Sequence, residues 1–428
     1  MTTVGIDNLN SSGEGLCSLN GLKVFVGGAL PGEEVRIEVT TRKKTYAKGK
    51  LLEVLSPSKD RNDPICPVFG ECGGCQIMHL KYQAQLEQKR ERVSQALSRI
   101  GGWKDHSVLP CLPSPDPLSY RNKIQLPVVW NQRNKRIGLY RKRSHEIIPI
   151  EKCYIHCPQG EALFSSIREE LSSPSVRYVL IRSGIFRNES LVIFVTDGSE
   201  SSQLKLFAQK LMDSFSFLVG AVENIHKRPG NVILGPKNSL LAGRSYLFEK
   251  LLGKTFKVSP NAFFQVNSAQ AEVLYAKALE LAQIEKNETL LDAYCGVGTL
   301  SILAAEKAKK VIGVESVAPA ILDARENASI NKTQNVEFFC SEIEKKIRHL
   351  PDFEIVLLNP PRKGCDPSLL ESLKAKQPRK IIYISCDPAT LARDLRILSS
   401  HYTLKTVQPV DMFPQTMHVE TIAQLSLR

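Results

Sequence analysis

No stretch of this sequence approaches the roughly 18 uncharged apolar residues that a membrane-spanning helix needs. The first ten residues, Met1 to Asn10, are polar and include Asp7, so the basic-then-apolar order of a secretion signal is missing too. No internal repeat or low-complexity tract interrupts an ordinary globular mixture, 42% hydrophobic and 24% charged. These absences exclude fibrous, disordered and membrane-embedded classes. They lead to the expectation of a cytoplasmic protein, a monomer with no membrane partner, whose cysteines are mostly reduced.

What is present in excess is positive charge. The chain has 428 residues and a net charge of +13. Its length predicts two or three domains. The surplus is concentrated in the first 160 residues, in Arg42-Lys43-Lys44, in Arg133 to Arg136 and in Arg141-Lys142-Arg143. Clustered cations suit a polyanion, because each neutralised phosphate releases condensed counterions. Tyr140 beside such a cluster offers a ring on which an unpaired base can stack. Charge alone does not separate an RNA binder from a merely basic protein.

Three stretches differ in pattern. Over 1–57, alternation in Leu22-Lys23-Val24-Phe25-Val26 and Val35-Arg36-Ile37-Glu38-Val39 predicts short strands, with Leu30-Pro31-Gly32-Glu33 as a turn between them. Leu51 to Leu55 offers a further strand. Short strands with a basic face suggest a small β-barrel of the oligonucleotide-binding kind. Residues 58–250 open with a cysteine cluster, continue through a polar helical stretch from Tyr82 to Ile100 and a proline-rich connection, Pro110 to Pro117, and then turn β-rich. Residues 255–428 alternate strand and helix: Leu290 to Ala293, Leu300 to Lys309, Val311 to Val314, Ala318 to Ile330, Glu354 to Leu358, Lys380 to Ile384. That order predicts an α/β fold, a doubly wound, Rossmann-like, mostly parallel sheet with ligands at the carboxyl ends of its strands.

The chemistry-bearing residues fall at those strand ends. Asp292-Ala293-Tyr294-Cys295-Gly296-Val297-Gly298-Thr299 places glycines where a strand turns into a helix, and glycine allows close backbone approach to a ligand. Glu315 ends the next strand, where a carboxylate can accept both hydroxyls of a ribose. The turn has fewer glycines than a diphosphate-binding loop needs, which suits S-adenosylmethionine; a purely structural turn is the alternative. Asn359-Pro360-Pro361-Arg362 follows another strand, and the prolines hold Asn359 extended. Ile384-Ser385-Cys386-Asp387-Pro388 repeats the arrangement, with Asp387 as a helix N-cap. There the helix dipole is expected to favour a Cys386 thiolate, although most buried cysteines are inert. C5 of uracil is a poor nucleophile until a thiolate adds at C6, and a base must later remove the C5 proton. His418 and Glu420, near the start of the last strand, are candidates for that base.

Cys66-x5-Cys72-x2-Cys75 gathers three thiols around Gly73-Gly74, and Cys153 or Cys157 is available as a fourth. The spacing suits zinc and an iron–sulfur cluster equally. Cys17, Cys111, Cys340 and Cys365 read as packing residues.

Taken together, these motifs resemble the bacterial RNA uracil-C5 methyltransferases, in the ribosomal-RNA branch with an N-terminal TRAM domain and an iron–sulfur cluster. Pro31-Gly32-Glu33, the cysteine cluster, Phe263-Phe264-Gln265-Val266-Asn267, Asp292 to Gly298, Ser385-Cys386-Asp387-Pro388 and Asp411-Met412-Phe413-Pro414 with His418-Val419-Glu420 carry the resemblance. It implies that Cys386 is the nucleophile and Glu420 the base. It also implies that Gln265, Tyr294, Thr299, Glu315, Glu342 and Asn359 hold S-adenosylmethionine. Cys66, Cys72, Cys75 and Cys153 would hold a [4Fe-4S] cluster, and the RNA would be ribosomal. Asn359 departs from the family, which has aspartate there, so a carboxylate's proton-transfer role is missing at that point. Two rival readings remain: a methyltransferase acting on exocyclic amino groups, whose signature has an aromatic residue where this chain has Arg362, and a non-catalytic RNA-binding protein with a degenerate domain. The same reaction on transfer RNA is a third possibility.

Overall fold

The computed structural model describes residues 1–428 apart from Asp105, Gln132, Arg133, Glu200, Ser201, Arg228, Pro229 and Asn231. Arg133, one of the basic residues singled out above, therefore lies outside the described residues.

Strands β1 (Thr2–Gly5), β2 (Asn8–Leu9), β3 (Glu14–Leu19), β4 (Leu22–Gly27), β5 (Glu34–Arg42) and β6 (Tyr46–Ser56) form one six-stranded sheet in the order β1-β5-β6-β4-β3-β2. Alternating residues such as Val24, Val26, Val35 and Ile37 are buried on one face. Three register shifts between β5 and β6 bend the sheet.

Helix α1 (Tyr82–Ala96) comes next and runs into a π-turn at Leu97–Gly101. Strands β7 (Lys123–Asn131), β8 (Asn134–Tyr140) and β9 (Ile147–Pro149), helix α2 (Pro158–Glu170), strands β10 (Val176–Gly184) and β11 (Glu189–Thr196), helix α3 (Ser202–Ser214), and strands β12 (Leu218–Ile225) and β13 (Lys237–Gly243) follow. Their strands make a seven-stranded sheet, order β13-β12-β11-β10-β7-β8-β9. Helix α1 does not pack there. Its Leu86 and Val93 join Leu391, Leu395 and Tyr383 in a core of the C-terminal part of the chain.

The hairpin β14 (Leu247–Leu251) and β15 (Lys254–Val258) leads to α4 (Ser268–Ala282). Then come β16 (Thr289–Asp292), α5 (Thr299–Ala305), β17 (Lys310–Glu315), α6 (Ala318–Ile330), β18 (Val336–Cys340), α7 (Ile343–Lys346), β19 (Ile355–Leu358), α8 (Pro367–Lys376), β20 (Lys380–Ser385), α9 (Pro388–Leu398), β21 (Tyr402–Val410) and β22 (Glu420–Leu427). The sheet order is β18-β17-β16-β19-β20-β22-β21. Pairs from β18 to β20 are parallel, and β22 is antiparallel to both neighbours. Successive residues alternate between two cores, Leu290 and Leu357 on one face and Leu291 and Leu358 on the other. Burial on both faces makes these strands read as unbroken apolar runs. Helix α5 is shorter than its apolar spacing predicted, because Lys307 N–H bonds to the Ala304 carbonyl and turns the chain out. Cys340 is exposed, which corrects its reading as a packing residue.

Candidate active site

Strands β16, β19 and β20 run parallel, so the segments leaving them emerge at one edge of the sheet. That edge carries a cleft of about 1390 Å³. All eight residues expected to act on substrate or methyl donor line it: Gln265, Tyr294, Thr299, Glu315, Glu342, Asn359, Cys386 and Glu420. Gly296 lines it, and Gly296 and Gly298 shape the turn there with φ of 53° and 82°. A Cβ on Gly298 would lie 3.0 Å from Phe338 and 3.1 Å from Ala324, so the turn needs glycine for space as well as for conformation. Glu315, at the end of β17, accepts from Val317 N–H at 2.9 Å and from Gly296 N–H at 3.3 Å. Beneath the turn, burial pushes the Asp292 carboxyl up to about 6, although the Ser301 hydroxyl donates to it at 2.7 Å. Glu342 sits at the rim, paired with Lys345 at 2.6 Å.

Cys386 and Glu420 come together through sheet register. Ser385 of β20 pairs with Thr421 of β22. The residue after the first and the one before the second therefore leave adjacent antiparallel strands side by side. Burial pushes the Glu420 carboxyl up to about 7, against the pull of the Arg362 guanidinium. Cys386 differs from expectation: burial and then the Glu420 charge push its thiol above the ordinary value, and Arg362 only partly offsets them. The dipole of α9 does not rescue the thiolate, because the Asp387 carboxylate already accepts from Ala389 N–H at 2.8 Å and Thr390 N–H at 3.3 Å. His418 lines the same cleft, but burial and the cations Arg362, Arg92 and Lys89 push its imidazole down to about 4. A neutral ring of that kind is a poor proton acceptor at pH 7. Arg362 was seen in the sequence only as a departure from an aromatic signature; its nearness to both Cys386 and Glu420 was not legible there. Phe263, quoted in the sequence only as part of a motif, stands 72% exposed in the cleft wall.

The four expected metal ligands also converge. Cys66, Cys72, Cys75 and Cys153 line one cavity of about 200 Å³, and Cys157 is not among its walls. Burial and then the thiols of Cys153, Cys72 and Cys66 push the Cys75 thiol up. Among the described residues no group of three or more His, Cys, Asp or Glu side chains is arranged to hold a metal ion.

Comparison with known proteins agrees with this architecture. Residues 237–428 match the tRNA (Uracil-5-)-methyltransferase family model, and residues 2–52 match the TRAM domain. An RNA methyltransferase of Staphylococcus aureus is 38% identical over 98% of this chain and 97% of its own length. One from Bacillus cereus is 38% identical over 99% of this chain and 96% of its own. The chain belongs to the RNA (uracil-5-)-methyltransferase family. This methyltransferase is also similar in structure to the Pyrococcus abyssi tRNA (uracil-54, C5)-methyltransferase solved with S-adenosyl-L-homocysteine. The TM-score is 0.79 at 30% identity, covering 99% of this chain and all, 100%, of that one. The rival reading as a non-catalytic RNA binder gives way to an RNA (uracil-C5-)-methyltransferase. Among the described residues no helix is long and apolar enough to cross a membrane.

Proposed function

We propose that this methyltransferase transfers a methyl group from S-adenosylmethionine to C5 of a uracil in 23S ribosomal RNA, with Cys386 as nucleophile and Glu420 as base. The observation that carries the reading is the adjacency of a thiol at the end of β20 and a buried carboxyl, raised to about 7, at the start of β22, inside one cleft with the residues expected to hold the donor. The Cys386 sulfur adds to C6 of the ring and the electron pair of the C5=C6 bond moves to form an enolate. S-adenosylmethionine would supply the electrophilic methyl group to C5, its S–CH3 bond breaking with the electrons going to sulfur and S-adenosyl-L-homocysteine leaving. The Glu420 carboxylate then removes the C5 proton, the C5=C6 bond re-forms, and the C6–S bond breaks with its electrons returning to sulfur. Because the Cys386 thiol is raised, it passes its proton to solvent as substrate binds and before it attacks C6, and Arg362 is the cation beside it that favours the anion. Gln265, Tyr294, Thr299, Glu315, Glu342 and Asn359 hold the donor, Asn359 through an amide that binds without acting as a base.

The domains we assign are 1–57, a TRAM unit of the OB-like kind that binds RNA; 58–250, a β-rich unit carrying the cysteine cavity; and 255–428, the methyltransferase unit. The resemblance to the family's iron–sulfur branch supports a [4Fe-4S] cluster on the four cysteines that line one cavity, with Cys153 as the fourth ligand. That group would tie Cys66 to Cys75 and Cys153; the methylation itself uses no electrons. Anaerobically purified protein is expected to absorb broadly in the visible and to lose that absorption in Cys72→Ser. Colourless protein loaded with zinc would overturn this assignment.

Transfer RNA is the second reading, favoured by the Pyrococcus enzyme, which is similar along the whole chain and whose stated target is tRNA. Two measurements test the proposal. RNA containing 5-fluorouracil cannot lose a proton at C5, so it should trap a covalent complex that Cys386→Ala abolishes; equal trapping by both proteins would refute the mechanism. Mapping 5-methyluridine in RNA from cells with and without the protein then separates ribosomal from transfer RNA.

A further inference from the structure

The segment that follows the cysteine cluster is bonded to the loop that leads into β22 and its first residue, Glu420. Gln76 N–H and Ile77 N–H both donate to the Gln415 carbonyl, at 3.0 and 3.1 Å. The Gln76 side chain works in both directions: its Nε2 donates to the carbonyls of Gly73 at 3.1 Å and Gly74 at 3.3 Å, inside the cysteine loop, while its Oε1 accepts from Met417 N–H at 3.3 Å. Gln415 itself has φ of 69°, a left-handed conformation that L side chains rarely adopt. Such strain persists only where surrounding bonds hold it. Here Gln85 bonds to both its N–H and its side-chain oxygen, at 3.0 and 2.9 Å, and its Nε2 reaches the Pro117 carbonyl at 3.1 Å.

The same junction takes in the N-terminal sheet. Leu30, Ile77, Leu80 and Met417 form one buried cluster. A Cβ on Gly13 would lie 2.9 Å from Gln76 Cβ, so the turn before β3 is pressed directly against this residue. Between Gln415 and Glu420 there are only four residues, among them Met417 and His418.

We propose that Gln76 is a positioning residue for the methyl-transfer reaction, fixing the Gln415–Met417 loop and through it the placement of Glu420. One side chain thereby links the cysteine loop to the segment leading to the base, with the turn before β3 packed against it. This rests on the role given to Glu420 above. It gives the cysteine loop a purpose in catalysis that requires no electron transfer.

A displaced Glu420 fails at one step in particular, removal of the C5 proton. The methylated intermediate then stays attached to Cys386 even on RNA with ordinary uracil. The test compares the full-length parent with Gln76→Met, which keeps the bulk and the backbone bonds to Gln415 but removes the three side-chain hydrogen bonds, and with Gln76→Glu, which keeps an acceptor for Met417 N–H. For Gln76→Met the expected result is a fall in kcat of about 10- to 100-fold, the range for a misplaced catalytic group. Affinity for S-adenosylmethionine should stay within about two-fold of the parent, a shift too small to signal a disturbed cofactor site. A denaturant-stable RNA–protein complex should build up on natural RNA, and Gln76→Glu, which keeps the Met417 bond but loses the donation to Gly73 and Gly74, should recover part of the turnover. Parent-like turnover in Gln76→Met would overturn the inference. So would a joint loss of turnover and cofactor affinity with no accumulated complex, because that marks general loosening. If the parent formed no Cys386-dependent complex with 5-fluorouracil RNA, the mechanism itself would fail, a result distinguishable from either.

Discussion

Glu420 is the residue whose chemistry is most constrained by its surroundings. Its carboxyl is raised from 4.5 to about 7 because it is buried, with Arg362 opposing. A folded state that holds a proton more tightly than the unfolded chain gains stability from that site at low pH. For Glu420 the gain is complete below pH 4.5 and is lost as pH rises through about 7. The role proposed for Glu420 needs the opposite form, since only a carboxylate can take the C5 proton. The expected outcome is a kcat that climbs with pH through a limb centred near 7, as the carboxyl ionises. His418, pushed down to about 4, is neutral throughout that range and cannot supply the limb. Glu420→Gln should abolish the limb and slow turnover by about 100- to 10,000-fold, the usual worth of a positioned acid or base. A limb that survives in Glu420→Gln would assign it to another group.

At the scale of elements, α1 depends on one buried ion pair. Lys89 and Asp411 have side chains with no exposure at all, 0% each. The Lys89 ammonium also donates to the Phe413 carbonyl at 3.0 Å. Burial pulls the lysine down while Asp411 pulls it back up. Removing one partner strands the other charge away from water, at a cost of about 3–5 kcal/mol. Lys89→Met is therefore expected to lower unfolding stability by about that amount, and the double change Lys89→Met with Asp411→Leu to recover most of it. Urea unfolding measures both, and a loss below about 1 kcal/mol in the single variant would mean that the pair is solvated, as surface pairs are. The sequence announced α1 as a helix but not its partner. Its face is mostly polar, and Gln85, Lys89 and Arg92 all bond to the loop from Asp411 to Met417, Gln85 reaching the Ile77 and Leu80 carbonyls as well. The β/α part was far more legible, since strands buried on both faces leave apolar runs such as Ile355 to Leu358, and the catalytic candidates follow them directly. Local pattern reveals an element; it does not reveal which distant loop completes its polar groups.

For the molecule as a whole, the positive surplus divides into cations that are free to meet RNA and cations already engaged. Arg141 pairs with Glu71 at 2.7 Å and Glu146 at 2.8 Å, and Arg143 pairs with Glu14 at 3.0 Å. These two join the β8 end to the cysteine loop and to the TRAM sheet, so their charge is largely offset within the protein. Arg42, Lys43 and Lys44, at the turn between β5 and β6, are exposed and make no ion pair among the described residues. Sequence alone ranked the two runs equally, because it carries no record of the carboxylates that fold against Arg141. The salt dependence of RNA binding distinguishes them. Each phosphate neutralised on a single strand contributes about 0.7 to the slope of log K against log salt. Replacing Arg42, Lys43 and Lys44 together with glutamine should therefore flatten that slope by about 2, if each meets one phosphate. Arg141→Gln should leave the slope nearly unchanged, because its guanidinium is turned towards two carboxylates. A flattening by Arg141→Gln as large as that of the triple change would move the RNA path from the TRAM turn to the cysteine-loop face.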